Sequence, residues 1–269
     1  MTTTRFSPVP TQLAPDLTPA EQIVVLARAL HRRGYDDHLA GHITVREPDG
    51  TLLCNPWFLN WDEFGVDDVI RIDLDGNLLE GRWPVPPGIP LHLALHLLRT
   101  DVEVAVHNHP RWSTTWANRR QAPPIFDQTG ALTGAEVAVV DEYDGGVNDL
   151  DLASSAIKAM GTARIGLLAG HGIFVLAHSI PEAFIRCSVF EWRCRRALAV
   201  EGAQNSGHPI RPDIAAGVGD FVDSKGFPGY WEAAVRAELR AEPTLLDHAD
   251  NDHLFHESTP APNREETLR

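Results

Sequence analysis

The sequence predicts an α/β fold: a three-layer α/β/α domain whose central sheet is largely antiparallel. Short period-two strands are set around hairpin turns in residues 42–79, and helical segments alternate with further strands between residues 91 and 201. The 269 residues, 43% of them hydrophobic, suffice to fill one large domain or two small ones. The expected organisation is a flexible N-terminal segment over 1–16, one domain over 17–204, and a C-terminal extension over 205–269 with one helix and a mobile tail.

The elements follow in order. Thr18-Pro19-Ala20-Glu21 supplies an N-cap, a proline at the first helical position and a capping-box glutamate. Ile23, Val24, Ala27 and Leu30 continue that helix at helical spacing, and Gly34 is placed to end it. From His42 the pattern alternates, and Asp49-Gly50 turns it back toward Leu52-Leu53-Cys54. A second hairpin is expected around Asp75-Gly76-Asn77. Residues 84–90 form a rigid proline-containing connection, residues 91–98 a buried helix, and residues 102–106 a strand that Pro110 halts. A short helix (112–119), a loop to 136, a strand (137–140), a helix (149–160) and strands 165–169 and 173–177 come next. Ser179 with Glu182 opens a long helix to about 201 on which Cys187 and Cys194 share one face as small core residues, and residues 230–241 form the last helix.

Charge narrows the partners. Lys and Arg total 23 against 37 Asp and Glu, and a net charge of -14 disfavours nucleic acid and anionic membrane surfaces. No apolar run approaches the ~20 residues that span a bilayer. Three cysteines without framework spacing, and an N-terminus without a signal-like pattern, lead us to expect a reduced, cytoplasmic protein acting on a small molecule.

The chemistry-bearing pattern is His107-Asn108-His109. Two residues apart on a strand, both imidazoles project from the same face and can serve one ion. A third, His171, stands between two glycines after the apolar run Leu167-Leu168-Ala169. Imidazoles converging at strand ends suit a single divalent metal ion.

These segments resemble those of the class II aldolase and adducin family over roughly residues 18–204. His92 and His96 in a His-x-x-x-His pattern, followed by Asp101-Val102 and Ala105-Val106-His107-Asn108-His109-Pro110, are similar to the family's metal-binding stretch. The run from Leu167 to Gly172 is similar to its third-ligand strand, and Gly41-His42-Ile43-Thr44-Val45-Arg46 to its glycine-led substrate loop. The resemblance implies His107, His109 and His171 as metal ligands, a Lewis-acid role for the ion, and a homo-oligomer, a tetramer in most members.

The chain departs from the family at Pro86-Pro87-Gly88, where class II aldolases carry Ser-Ser-Glu, and at His42, which replaces an asparagine. Gly88 carries no base and the prolines no phosphate donors, so a phosphorylated sugar is not expected. Asp127, or Glu142 with Tyr143, are the candidate proton-transfer residues. His42, Gly88, Trp57, Trp61 and Trp112 are candidate substrate contacts, with Phe58 and Trp116 adding aromatic surface for a flat substrate; core packing is the competing role for the tryptophans. Three neutral ligands leave open coordination positions. The expected activity is cleavage of a carbon-carbon bond in a non-phosphorylated, aromatic 2-oxo or 2-hydroxy acid. A non-haem Fe(II) oxygenase is preferred, because it needs neither a glutamate base nor a phosphate loop, and the chain also resembles the aldolase-related oxygenases of the 4-hydroxy-3-prenylbenzoate type. A zinc-type aldolase or decarboxylase is the alternative, and an adducin-like binding module without catalysis the third.

Overall fold

The computed structural model describes residues 12–134, 136–141, 149–203 and 207–248. Helix α1 (Pro19–His31) starts as its sequence dictates: the Thr18 hydroxyl accepts from the Glu21 amide, and the Glu21 carboxylate accepts from the Thr18 amide. Residues Ile23 to Leu30 are all buried, because helices α6 (Ile180–Gly202) and α8 (Tyr230–Ala241) and the neighbouring strands close on the helix from several sides. Gly34 then takes the left-handed conformation, φ 93°, that a side chain would disfavour.

Eight strands form one sheet: β1 (His42–Arg46), β2 (Leu52–Cys54), β3 (Ile70–Ile72), β4 (Leu78–Glu80), β5 (Val104–Asn108), β6 (Ala138–Val140), β7 (Ile165–Leu168) and β8 (Gly172–Ala177). Their order is β4-β3-β2-β1-β5-β8-β7-β6, and every pair is antiparallel except β6 with β7. Both expected hairpins are present, β1 with β2 and β3 with β4.

The sheet is sandwiched. On one face, Ala105, Phe174 and Leu176 pack under α2 (Pro90–Leu98) and α5 (Leu150–Met160). On the other, Val104, Val106, Ile173 and Val175 meet α1, α3 (Arg111–Arg119) and α6 (Ile180–Gly202). Strand β5 is therefore buried along its whole length, His107 and Asn108 included, because both of its faces are covered. Cys187 and Cys194 are both fully buried on α6, as their spacing suggests. The Ser179 hydroxyl caps α6 by accepting from the Glu182 amide, but the Glu182 carboxylate accepts from His178 rather than closing a reciprocal box on Ser179. Among the described residues no helix is long and apolar enough to cross a membrane.

The C-terminal extension differs from expectation. It holds two helices, α7 (Pro212–Lys225) and α8 (Tyr230–Ala241), where the sequence pattern gave only the second. The face that α7 buries is Ala215, Gly219 and Val222, too small to register as an apolar stripe. Its closeness is the reason: a Cβ on Gly219 would lie 2.4 Å from the Gly134 Cα, after the short helix α4 (Gln128–Ala131).

Trp116 joins α3 to α6. It is 1% exposed, its indole N–H donates to the Cys194 carbonyl at 3.0 Å, and the Arg119 guanidinium lies over its ring. The Trp116→Ala variant is expected to lose ~3–5 kcal/mol of unfolding free energy through the cavity it leaves. Urea denaturation measures this, and a loss under ~1 kcal/mol would show that the helix pair does not depend on it.

Candidate metal centre

The centre of the sheet sets the site. In the register of β1, β5 and β8, His42 lies opposite His107 and His107 opposite Phe174, so the three rings line one face. Strand β5 stops at Asn108, which places His109 beyond the strand. Its position is fixed by the turn into α3 rather than by the pleat assumed from the two-residue spacing. That turn is held from outside: Pro110 supplies no side-chain cap to α3, and the Glu191 carboxylate on α6 accepts from the Trp112 and Ser113 amides at 2.7 and 2.9 Å. His171 is carried by the tight turn between β7 and β8, where Gly170 has φ 71°. Gly172 leaves room for the neighbouring ring, since a Cβ there would sit 2.4 Å from the His109 Cδ2.

Three imidazoles meet at this point. Ring centroids are 5.0 Å apart for His107 and His109, and 4.7 Å for His171 to each. One ligand atom from each lies within 4.8 Å of the others. The His107 Nδ1–H donates to the Ile173 carbonyl at 2.8 Å, and the His109 Nδ1–H to the Asp37 carboxylate at 2.8 Å. Both tautomers are thereby fixed with Nε2 as the electron-pair donor. The His109 Nε2 is buried without a hydrogen-bond partner among the described residues. Small ring rotations bring such donors onto a divalent ion at the ~2.0–2.1 Å of a zinc-nitrogen bond, so the residues fit a metal.

The electrostatics agree. Burial, then the neighbouring His109, pushes His171 down to about 4. Burial followed by the surrounding imidazoles holds His107 well below the ordinary histidine value. His107 and His171 are thereby held neutral near pH 7, the state in which an imidazole can coordinate a metal. Burial alone would raise the Asp37 carboxyl, but hydrogen bonds from His38 and His109 hold it below its usual value.

A second layer of imidazoles lies behind the first. His42 is 5% exposed and its ring stacks on His107 at 5.6 Å; burial, then His109 and His171, depresses it to about 3. The Thr44 hydroxyl bridges His92 Nδ1 at 2.8 Å and His96 Nε2 at 2.9 Å, so one ring donates to it and the other accepts from it. Gly88 faces this layer: a Cβ there would lie 2.3 Å from the His42 Cε1. An imidazole at 42 and a side chain at 88 compete for the same volume.

The other candidates are dispersed. Trp61 is packed as a buried wedge: it is 3% exposed, stacks on Tyr35, and donates to the Gly41 carbonyl. Its ring fits only because residue 41 is glycine, whose Cβ would come within 2.5 Å. Trp57 is half-buried beside the exposed Phe58, and Trp112 is half-buried under the Arg111 guanidinium. Asp127 is likewise a structural residue. It caps α4 by accepting from the Gly130 amide, and its carboxylate also holds the Trp192 indole and Arg196. Glu142 and Tyr143 lie outside the described residues. Asp37 was missed by the sequence reading, since nothing in Asp36-Asp37-His38 marks which carboxylate turns toward His109.

A sequence model of the class II aldolase and adducin N-terminal domain matches residues 21–198. The chain is 30% identical over 195 residues to a 3,4-dihydroxyphthalate decarboxylase of Arthrobacter keyseri, covering 68% of this chain and 79% of the relative. It is 26% identical over 178 residues to an L-fuculose phosphate aldolase of Methanocaldococcus jannaschii, covering 66% and 94%. Among solved structures, an L-fuculose 1-phosphate aldolase from Glaciozyma antarctica superposes with a TM-score of 0.73 at 20% identity, over 87% of this chain and 96% of that one.

Replacing His107 or His171 by Ala is expected to abolish stoichiometric zinc binding with the circular dichroism spectrum unchanged, whereas Asp37→Ala weakens affinity ~10–100-fold. Competition against a fluorescent chelator measures both; wild-type affinity in either ligand variant would refute the three-histidine site. A second expectation concerns acid. His42 and His96, each pushed by burial to about 3, stay neutral in the fold but protonate in the unfolded chain at ~6.5. Their stabilising contribution is complete above ~pH 6.5 and declines as pH falls toward 3, by ~1.4 kcal/mol per pH unit for each. Urea titrations of metal-free protein at pH 7 and pH 5 should show the loss; equal midpoints would contradict neutral burial.

Proposed function

The chain belongs to the class II aldolase and adducin family, and from that premise we propose that it is a metal-dependent lyase that decarboxylates a non-phosphorylated aromatic hydroxy acid. The observation that carries this reading is the pairing of an intact three-imidazole centre with Gly88, whose place beside His42 has room for neither a carboxylate base nor any other side chain. A decarboxylation needs no base to start it. The carbon-carbon bond breaks, CO2 leaves, the electron pair stays on the substrate carbon, and a proton is then returned to it. The name of the Arthrobacter relative, a decarboxylase of an aromatic hydroxy acid, supports the same class.

His107, His109 and His171 would hold the ion, which when bound supplies Lewis-acid stabilisation of the negative charge left by the departing CO2. The Ile173 carbonyl and the Asp37 carboxylate keep the first two rings turned inward. His42 forms the wall beside His107. We assign the proton return to Glu142 or Tyr143 rather than Asp127, whose carboxylate is taken up by Trp192, Arg196 and its own helix cap. Enzymes of the family use a divalent metal, typically zinc, and are commonly oligomeric; we propose a zinc-type ion and a cytoplasmic homo-oligomer here. The intact histidine trio speaks against a binding module without catalysis.

The Fe(II) oxygenase form retains one supporting feature, the all-imidazole donor set, which suits iron as well as zinc. The two are separated by dioxygen. Zinc-loaded protein under argon is expected to release CO2 from 3,4-dihydroxyphthalate or a related dihydroxybenzoate at the aerobic rate. Turnover confined to Fe(II)-loaded protein in air, with oxygen consumed in step, would replace the lyase by the oxygenase.

A further inference from the structure

The wall of the metal centre contains an imidazole whose polar atoms are unmatched. His42 is 5% exposed, and neither its Nδ1 nor its Nε2 has a hydrogen-bond partner among the described residues. The adjoining His92, edge-on at 5.8 Å, has its Nδ1 engaged by Thr44, but its buried Nε2 is also without one. Native interiors rarely leave such atoms unpaired, and where they occur they mark a place for water or a ligand. The ring is not free to turn toward solvent for a partner: it stacks on His107 at 5.6 Å on one side and abuts Gly88 on the other.

The chemistry of the ring selects what fits. A neutral imidazole presents one N–H donor and one bare acceptor nitrogen. Phosphate dianions and carboxylates only accept, so they can pair with the N–H but not with the bare nitrogen. A hydroxyl group donates and accepts, so it can pair with whichever of the two nitrogens faces the substrate. We propose that His42 is the recognition residue for a substrate hydroxyl, and that the site selects hydroxylated acids over their deoxy analogues through this ring. This rests on the hydroxy-acid lyase reading and sharpens it: the triad holds the reacting end of the substrate, and His42 reads the hydroxyl beside it.

The test compares 2-hydroxybenzoate with benzoate by isothermal titration of zinc-loaded protein. Wild-type protein is expected to favour the hydroxylated probe by ~10-fold or more, the scale of a buried hydrogen bond whose loss leaves a polar atom unpaired. In His42→Phe and in the smaller His42→Leu the ratio should collapse to about one, with zinc content at the wild-type level. If one replacement disturbs the fold, the other decides. His107→Ala should lose both probes. A hydroxyl preference that survives in the His42 variants, or a wild-type ratio near one, overturns the assignment. Failure of wild-type protein to bind either probe would overturn the aromatic-acid reading itself, and the assignment with it.

Discussion

The register of the three central strands is the constraint on which the site depends. His42, His107 and Phe174 lie opposite one another across β1, β5 and β8. A slip of one residue in β5 would send His107 to the face occupied by Val104 and Val106 and remove the centre. The register is secured because both faces of β5 are covered and packed differently, Val104 and Val106 against one layer and Ala105 against the other, so any slip would exchange them. The same alignment brings the Ile173 carbonyl to the His107 Nδ1, and it aims Thr44, two residues along β1, at the histidines of α2.

Built this way, the site is an island of polar rings. Six histidines, 42, 92, 96, 107, 109 and 171, gather where the sheet meets α2 and the β7–β8 turn, and burial keeps most of them from charging. Asp37 brings a formal negative charge to them and reaches His109 from the rim. A divalent cation would therefore meet little competing positive charge from the depressed imidazoles.

Much of this was legible in the sequence, for identifiable reasons. Hairpin turns, capping residues and period-two strands are local signals, and they gave the antiparallel sheet and most of the helices. The histidine trio was legible because His107-Asn108-His109 and Gly170-His171-Gly172 each follow an apolar strand. The failures are of another kind. Helix α7 buries small residues against a glycine, Asp37 acts across seventy-two residues of sequence, and Glu191 caps a helix from a different one. Such partners meet only after folding. The structural partners of Trp61 and Asp127 were not legible either, because an indole or a carboxylate near a site looks the same in sequence whether it faces a ligand or holds a loop.

The contact between Gly88 and His42 has a consequence for how this chemistry can be exchanged for another. Because the two positions share one volume, a side chain at 88 overlaps the imidazole at 42. Mutational routes toward a carboxylate at 88 must first shrink residue 42, passing through a form with an empty corner beside the metal ligands. The order of steps is fixed by geometry before selection acts, and a single-substitution search starting from this chain would find that neighbouring activity hidden behind a ridge.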